Sequence, residues 1–100
     1  MTAYTALAEP HRREILDLLC GRERSAGDLV DHLEISQPGV SKHLKVLRAA
    51  GLVEVDPRGK QRWYRLRPEP LVEVDAWLEP YRAHWSERLD ALERHLEENP

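Results

Sequence analysis

Apolar side chains recur at helical spacing through the first third of the chain. Pro10 suits a first helical position and Gly21 a position just past a helix end, so the apolar residues between them predict a helix at about 10–20. A short helical turn is predicted before it, around 3–8. A further apolar cluster predicts a second, shorter helix at about 26–33. The amino-terminal part of the chain is therefore predicted to be helical.

The next predicted helix has an amphipathic pattern. Val40, Leu44 and Leu47 stand at i, i+4 and i+7, which places them on one inward-facing stripe. Ser36 suits the N-cap of this helix, and Gly51 suits its end. Only a three-residue turn separates it from the preceding helix. Two short helices joined in this way predict a helix-turn-helix.

After Gly51 the apolar period changes from helical to alternating. Val53 and Val55 point to one side of the chain, and the acidic residues next to them point to the other. A turn at 57–60 contains a glycine and two basic residues, and a second strand-like run follows at 61–66. Two short strands around a glycine turn predict a β-hairpin. This hairpin would form a wing beside the helix-turn-helix.

The remaining chain, about 70–98, has an apolar seam with spacings of three and four residues. The seam predicts a helix of about 43 Å that Pro80 kinks or divides in two. A stripe of this length needs a partner surface, so we expect a homodimer; the alternative is a helix that folds entirely onto its own domain. The predicted interface residues are Leu71, Val74, Leu78, Tyr81, Trp85, Leu89 and Leu92.

These elements predict a mainly α-helical fold with a small β-hairpin, in the order α-α-α-α-β-β-α. This is a winged helix-turn-helix, and we expect it to be homodimeric. Residues 1–67 would form the winged helix-turn-helix domain. Residues 68–100 would form a carboxyl-terminal dimerisation helix that belongs to the same unit.

Charge is segregated along the chain in a way that the total conceals. The 100 residues include 15 basic and 18 acidic side chains, a net charge of −3. Residues 36–67 carry eight basic and two acidic side chains, a net charge of +6, whereas both flanking segments are acidic. A positive middle segment that coincides with a helix-turn-helix and a wing favours binding to a polyanion such as DNA.

Several classes of protein are excluded or disfavoured by composition. No apolar run approaches the roughly 20 residues that span a bilayer, so we expect no membrane partner. The first residues lack the pattern of a signal peptide, so we expect a cytoplasmic protein. Cys20, the only cysteine, excludes an internal disulfide and is predicted to be a small buried hydrophobe. No nucleophile–base pair, phosphate-binding glycine loop or carboxylate pair indicates an enzyme.

The candidate DNA-binding residues lie on the amphipathic helix, opposite its apolar stripe, and on the wing. The exposed helix positions are Gln37, Pro38, Ser41, Lys42, Lys45 and Arg48. Gln37, Ser41 and Lys42 are the first candidates for base edges in the major groove. The candidates for the DNA backbone are Lys45, Arg48, Arg58, Lys60 and Arg62. His43, beside the stripe, is predicted to pack with a satisfied ring. The alternative function is a winged helix that binds proteins and not specific DNA.

The run SQPGVSKHLKVLRAAGLVEV followed by RGKQRWYRL resembles the ArsR/SmtB family of bacterial winged-helix repressors, and the resemblance covers about residues 3–67. It implies a homodimer, an imperfect inverted-repeat operator, and repression that an inducer relieves. The family's DNA-reading positions fall here on Gln37, Pro38, Ser41 and Lys42. Gly39 stands where relatives more often have threonine, which removes a potential contact. The sequence does not identify the inducer.

Many members of this family sense metals, but the resemblance does not extend to their metal sites. The cysteine positions of one family site fall on Ser25 and Gly27 here, which supply no thiolate. The site on the last helix does not match in the register set by the wing strand. A shifted register leaves His84, His95 and Glu98 as the remaining candidates, which would need a second chain to come together. We therefore expect no metal and no other cofactor.

Overall fold

The computed structural model describes residues 2–98, which form five helices and a three-stranded sheet. In chain order the elements are α1 (Ala3–Leu7), α2 (Pro10–Gly21), β1 (Arg24–Ser25), α3 (Ala26–His32), α4 (Gln37–Ala49), β2 (Val53–Arg58), β3 (Gln61–Leu66) and α5 (Leu71–Glu98). The predicted helices and the predicted hairpin are present, so the mainly α-helical winged helix-turn-helix is confirmed.

Side-chain caps set where α3 and α4 begin. The Ser25 Oγ accepts a hydrogen bond from the backbone N–H of Asp28 at 3.1 Å, and the Ser36 Oγ accepts one from that of Gly39 at 3.2 Å. Gly51, at φ +75°, lies just past the end of α4, where a left-handed backbone satisfies the last carbonyls. These local interactions fix where α3 and α4 begin and where α4 ends.

The sheet contains one strand that the sequence did not predict. Its order is β1-β3-β2, with both neighbouring pairs antiparallel. The two-residue β1 pairs Arg24 with Tyr64 and Ser25 with Trp63. Two residues are too few to display an alternating pattern, so this strand exists only because β3 lies beside it. The predicted α-α-α-α-β-β-α order is therefore corrected to α-α-β-α-α-β-β-α.

The core lies where α2, α3 and α4 meet the inner face of the hairpin. The predicted stripe of α4 is buried, with Val40, Leu44 and Leu47 exposing 2% or less of their surface. Ile15 and Leu29 are fully buried against it. Because the inner face of α4 is filled by these residues, its outer face is left to solvent.

The last helix extends away from this core. Of the two predicted effects of Pro80, a kink or a division, the division is absent: Pro80 lies inside α5, which runs from Leu71 to Glu98. Leu71 and Val74 pack partly against the core of their own domain, but no residue of α5 is buried. The described residues accordingly span 62 Å along the longest axis and 27 Å and 20 Å along the others.

Two predictions about single side chains are wrong. Cys20 is exposed, because it turns about 100° away from Leu19 on the buried face of α2. His43 packs beside the α4 stripe as expected, but its Nδ1 is buried without a hydrogen-bond partner within residues 2–98. Its Nε2 lies 4.0 Å from a carboxylate oxygen of Glu9.

Within residues 2–98, no helix is both long and apolar enough to cross a membrane.

Candidate nucleic-acid interface

The outer face of α4 presents every helix residue that the sequence predicted for DNA contact. All six are exposed: Gln37, Pro38, Ser41, Lys42, Lys45 and Arg48. The first turn of the helix is held by the Ser36 cap, so the side chains near its amino terminus project from a fixed backbone. An exposed polar helix end of this kind can enter the major groove of B-DNA.

The hairpin lies beside α4 and forms a groove with it. Gly59 adopts φ +63° at the turn that joins β2 to β3, and the first residues of β3 line the groove with the helix. The start of α3 closes one end of this groove. We call it the α4–wing groove, and its lining residues are Ser25, Ala26, Gly27, Gln37, Ser41, Leu44, Lys45, Arg48, Lys60, Gln61, Arg62 and Tyr64.

The α4–wing groove is positively charged. Its lining contains four cations, Lys45, Arg48, Lys60 and Arg62, and no carboxylate among the described residues. Together with Lys42 on the same helix, these cations form no ion pair with any residue from 2 to 98. Their charges are therefore available to an anionic ligand, as a phosphate backbone requires.

The other three cations of the positive segment are paired with carboxylates. The Arg65 Nη2 lies 3.0 Å from the Glu54 Oε2, and the Arg67 Nε lies 3.7 Å from the Glu54 Oε1. Arg58 donates to both carboxylate oxygens of Glu23 at 2.9 and 3.0 Å. The tertiary structure thus divides the eight basic residues of this segment into five free cations and three paired ones.

Arg58 was a sequence candidate for the DNA backbone, but the structure does not bring it to the α4–wing groove. Its Nε–H also donates to Asp56 at 3.0 Å, and its guanidinium carbon lies 5.0 Å from the centre of the Trp63 ring. The hydrogen bonds to Glu23 and then Asp56 raise the pKa of Arg58 above its ordinary value. Arg58 is therefore held by the protein itself.

The pairing register of the hairpin explains this separation. Arg58 pairs with Gln61 and Asp56 with Trp63, which puts these side chains on one face of the sheet. Pro57 pairs with Arg62, which puts Arg62 on the opposite face, the one that packs towards α4.

Some groove residues were missed by sequence reasoning. Gln61 borders the groove at the hairpin end, although its side chain lies on the Arg58 face of the sheet, where it accepts a hydrogen bond from the Trp63 Nε1–H at 3.3 Å. Ser25 and Gly27 reach the groove because β1 pairs with β3. Gln61 had a usable signal, since it directly follows the basic turn. Ser25 and Gly27 had none, because their position depends on a strand pairing between distant segments.

The positions considered for metal binding are not assembled within the described chain. The Ser25 hydroxyl is engaged as the cap of α3. His84 and His95 both lie on α5, where eleven residues correspond to about 16 Å along the axis. Within residues 2–98, no group of three or more histidine, cysteine, aspartate or glutamate side chains is arranged to hold a metal ion.

The exposed half of α5 carries the rest of the predicted dimer interface. Leu78 is half-buried and Tyr81 contacts Trp77, with ring centres 5.3 Å apart. The ring of Trp77 in turn packs edge-on against that of Tyr4 in α1, with ring centres 6.1 Å apart. Trp77 and Tyr81 therefore pack back towards the domain. Beyond them the apolar stripe is exposed by 52–65% at Trp85, Leu89, Leu92 and Leu96.

Comparison with known proteins supports one family. The model of the family described as bacterial regulatory protein, arsR family, matches residues 9–55, which contain the helix-turn-helix. The transcriptional repressor SdpR of Bacillus subtilis (strain 168) is 36% identical over 75 residues, covering 75% of this chain and 83% of that protein. The HTH-type transcriptional regulator Rv2034 of Mycobacterium tuberculosis (strain ATCC 25618 / H37Rv) is 44% identical over 69 residues, 69% of this chain and 64% of that protein.

Solved structures agree with these relatives. An ArsR-like transcriptional regulator from Rhodococcus sp. RHA1 superposes with a TM-score of 0.72 at 34% identity, covering 97% of this chain and 89% of that one. A possible transcriptional regulator for arsenical resistance has the same TM-score at 36% identity, covering 87% and 91%. The chain therefore belongs to the ArsR family of bacterial regulatory proteins, and it is a DNA-binding transcriptional repressor of winged helix-turn-helix fold and not an enzyme.

Proposed function

We propose that this repressor acts as a homodimer that binds an inverted-repeat DNA operator, with one α4 in each half-site. The observation that carries the proposal is the set of five cations on α4 and the wing that have no carboxylate partner within residues 2–98. Paired surface cations would gain little from DNA, whereas unpaired ones release counterions when they meet phosphates.

The residues of the interface have different roles in this proposal. Gln37, Ser41 and Lys42 lie in the first turns of α4 and read base edges in the major groove. Pro38 fixes the backbone between them at the start of the helix. The four cations of the α4–wing groove contact the phosphates and position the helix, without reading sequence.

The second copy binds along the stripe of α5. A helix of 28 residues without a single buried residue leaves large apolar side chains in water, and a second copy of the same stripe would cover them. Dimerisation would place the two α4 helices on one side of the DNA. Their half-sites are then expected about one helical turn, roughly 34–36 Å, apart.

The proposal includes no metal or other cofactor and leaves the inducer unassigned. Ser25 and Gly27 supply no thiolates, and α5 holds its two histidines apart. Because a bacterial repressor acts on chromosomal DNA, we place the protein in the cytoplasm. Addition of zinc or EDTA to the purified protein is expected to leave its DNA affinity unchanged.

Fluorescence anisotropy tests the proposal directly. The protein is titrated against a labelled duplex from upstream of its own gene and against a scrambled duplex, at 50 and 200 mM salt. We expect tight, selective binding that weakens about 10³-fold or more between these salt concentrations, since several phosphates are contacted. The double variant Lys42→Ala/Lys60→Ala should lose affinity, with an unchanged circular dichroism spectrum.

The matched control is Arg65→Ala/Arg67→Ala. It removes the same charge from the same segment, but both residues are paired with Glu54 and lie outside the α4–wing groove. We expect it to bind far more tightly than the first double variant. Equal losses in the two variants would show that net charge, and not the groove, governs binding. Weak, salt-insensitive binding to every duplex would instead favour a winged helix that binds proteins.

A further inference from the structure

We propose that Arg58 positions the wing for DNA binding and does not itself contact the DNA. Glu23, Asp56 and Arg58 form an ion-pair cluster, which we call the wing latch. This inference rests on the proposed function, because it assigns a role within the same DNA interface. It changes the role that the sequence alone suggests for Arg58.

The wing latch spans the full width of the sheet. Arg58 is the last residue of β2, and its guanidinium passes over the ring of Trp63 on the central strand β3. It ends in a two-point contact with Glu23, the residue immediately before β1. The two residues are 35 positions apart in the chain. A planar guanidinium paired with both oxygens of one carboxylate fixes direction as well as distance.

The remainder of the wing tip has little packing to hold it. Residues 56–62 are all exposed, so burial does not set the angle between the tip and the body of the domain. The pair between Arg58 and Glu23 joins the tip to the segment that follows α2. This angle sets where Lys60 and Arg62 lie along the α4–wing groove. Arg62 is on the face of the sheet opposite Arg58.

The electrostatics of the wing latch oppose a phosphate contact. One guanidinium is balanced by two carboxylates, so the cluster has a net charge of −1. A phosphate that approached Arg58 would also meet the carboxylates of Glu23 and Asp56, which lie 2.9 and 3.0 Å from its guanidinium nitrogens. Arg58 also lies outside the groove lined by the free cations. It therefore cannot release counterions as Lys60 and Arg62 can.

A charge-swap series tests the positioning role. Asp56→Asn is the parent of the series, because the carboxylate of Asp56 would otherwise repel a carboxylate placed at position 58. The parent and its Arg58→Glu, Glu23→Arg and Glu23→Arg/Arg58→Glu variants are titrated against the same operator duplex from 50 to 200 mM salt. Arg58→Glu should weaken binding, and the double swap should recover to within about threefold of the parent, because it restores the pair with its polarity reversed and leaves net charge unchanged. The slope of log affinity against log salt should be the same for the parent and the double swap.

A conservative variant and a free cation supply the controls. Arg58→Lys keeps the charge but loses the two-point geometry, so it should weaken binding by roughly two- to thirtyfold in a dimer with two wings, without altering the salt slope. Lys60→Gln should instead flatten the salt slope by about 2, since each dimer loses two phosphate contacts. Thermal unfolding checks that each variant remains folded.

The outcomes separate this inference from the proposed function. A double swap as weak as Arg58→Glu would overturn the positioning role. A salt slope that Arg58→Gln flattens by about 2, as expected for Lys60→Gln, would make Arg58 a phosphate contact. An Arg58→Glu variant that binds as tightly as its parent would also overturn the positioning role, because the wing would then need no latch. If the wild-type protein fails to bind duplex DNA at all, the proposed function itself fails.

Discussion

Truncation of Leu89 to alanine should weaken the proposed homodimer. Leu89 lies on the apolar stripe of α5 and is 65% exposed in the single chain. Full burial of a leucine side chain contributes about 1.5–3 kcal/mol, so covering the exposed part contributes about 1–2 kcal/mol. Both protomers lose the side chain, which gives about 2–4 kcal/mol per dimer. At 1.4 kcal/mol per factor of ten, the dimer dissociation constant should rise roughly 30- to 700-fold.

Sedimentation equilibrium measures this constant directly, and Val72→Ala is the matched control. Val72 is also an aliphatic residue of α5, is exposed by 68%, and lies on the face opposite the stripe. Its truncation should leave the dimer constant unchanged. A Leu89→Ala protein that dimerises within threefold of wild type, or a wild-type protein that is monomeric at micromolar concentration, would refute the assignment of this stripe to a second copy.

Three further predictions concern the domain that carries the site. Leu47→Ala removes a fully buried side chain of α4 and should lower the free energy of unfolding by about 2–5 kcal/mol in urea titrations. Ser36→Ala removes the cap of the same helix and should cost about 1 kcal/mol, whereas Ser86→Ala on exposed α5 should cost less than half as much. The hydrogen bond from Arg24 lowers the pKa of Asp28 below its ordinary 3.8, so Asp28 stabilises the fold above about pH 4, and this contribution is lost as pH falls through the lowered pKa. The stability difference between wild type and Asp28→Asn, measured by urea titration, should therefore shrink below pH 4.

Each of these three stability predictions has a result that would contradict it. Leu47→Ala with wild-type stability would mean that α4 does not pack as the structure shows. Equal effects of Ser36→Ala and Ser86→Ala would show that the Ser36 cap does not stabilise the start of α4. A stability difference for Asp28→Asn that is constant from pH 7 to pH 3 would show that its carboxylate is not stabilised by Arg24.

Local signals in the sequence determined most of the scaffold. The period of Val40, Leu44 and Leu47 identifies both the buried face of α4 and the face left for DNA, because a helix that hides one stripe must expose the other. The cap at Ser36 and the glycine at 51 mark its ends, because they satisfy backbone groups of the adjacent turn. Such interactions join residues a few positions apart, so they can be predicted from the sequence.

Tertiary structure alone decided which cations are free to bind DNA. In the sequence Arg58 and Arg62 look alike, two basic residues near the turn of one hairpin. The hairpin register sends them to opposite faces, and Glu23, far away in the chain, neutralises only Arg58. The short strand β1, and the position of the groove residues at the start of α3, likewise depend on pairing with the distant strand β3. Contacts between distant segments depend on how the whole chain packs, and no local pattern encodes them.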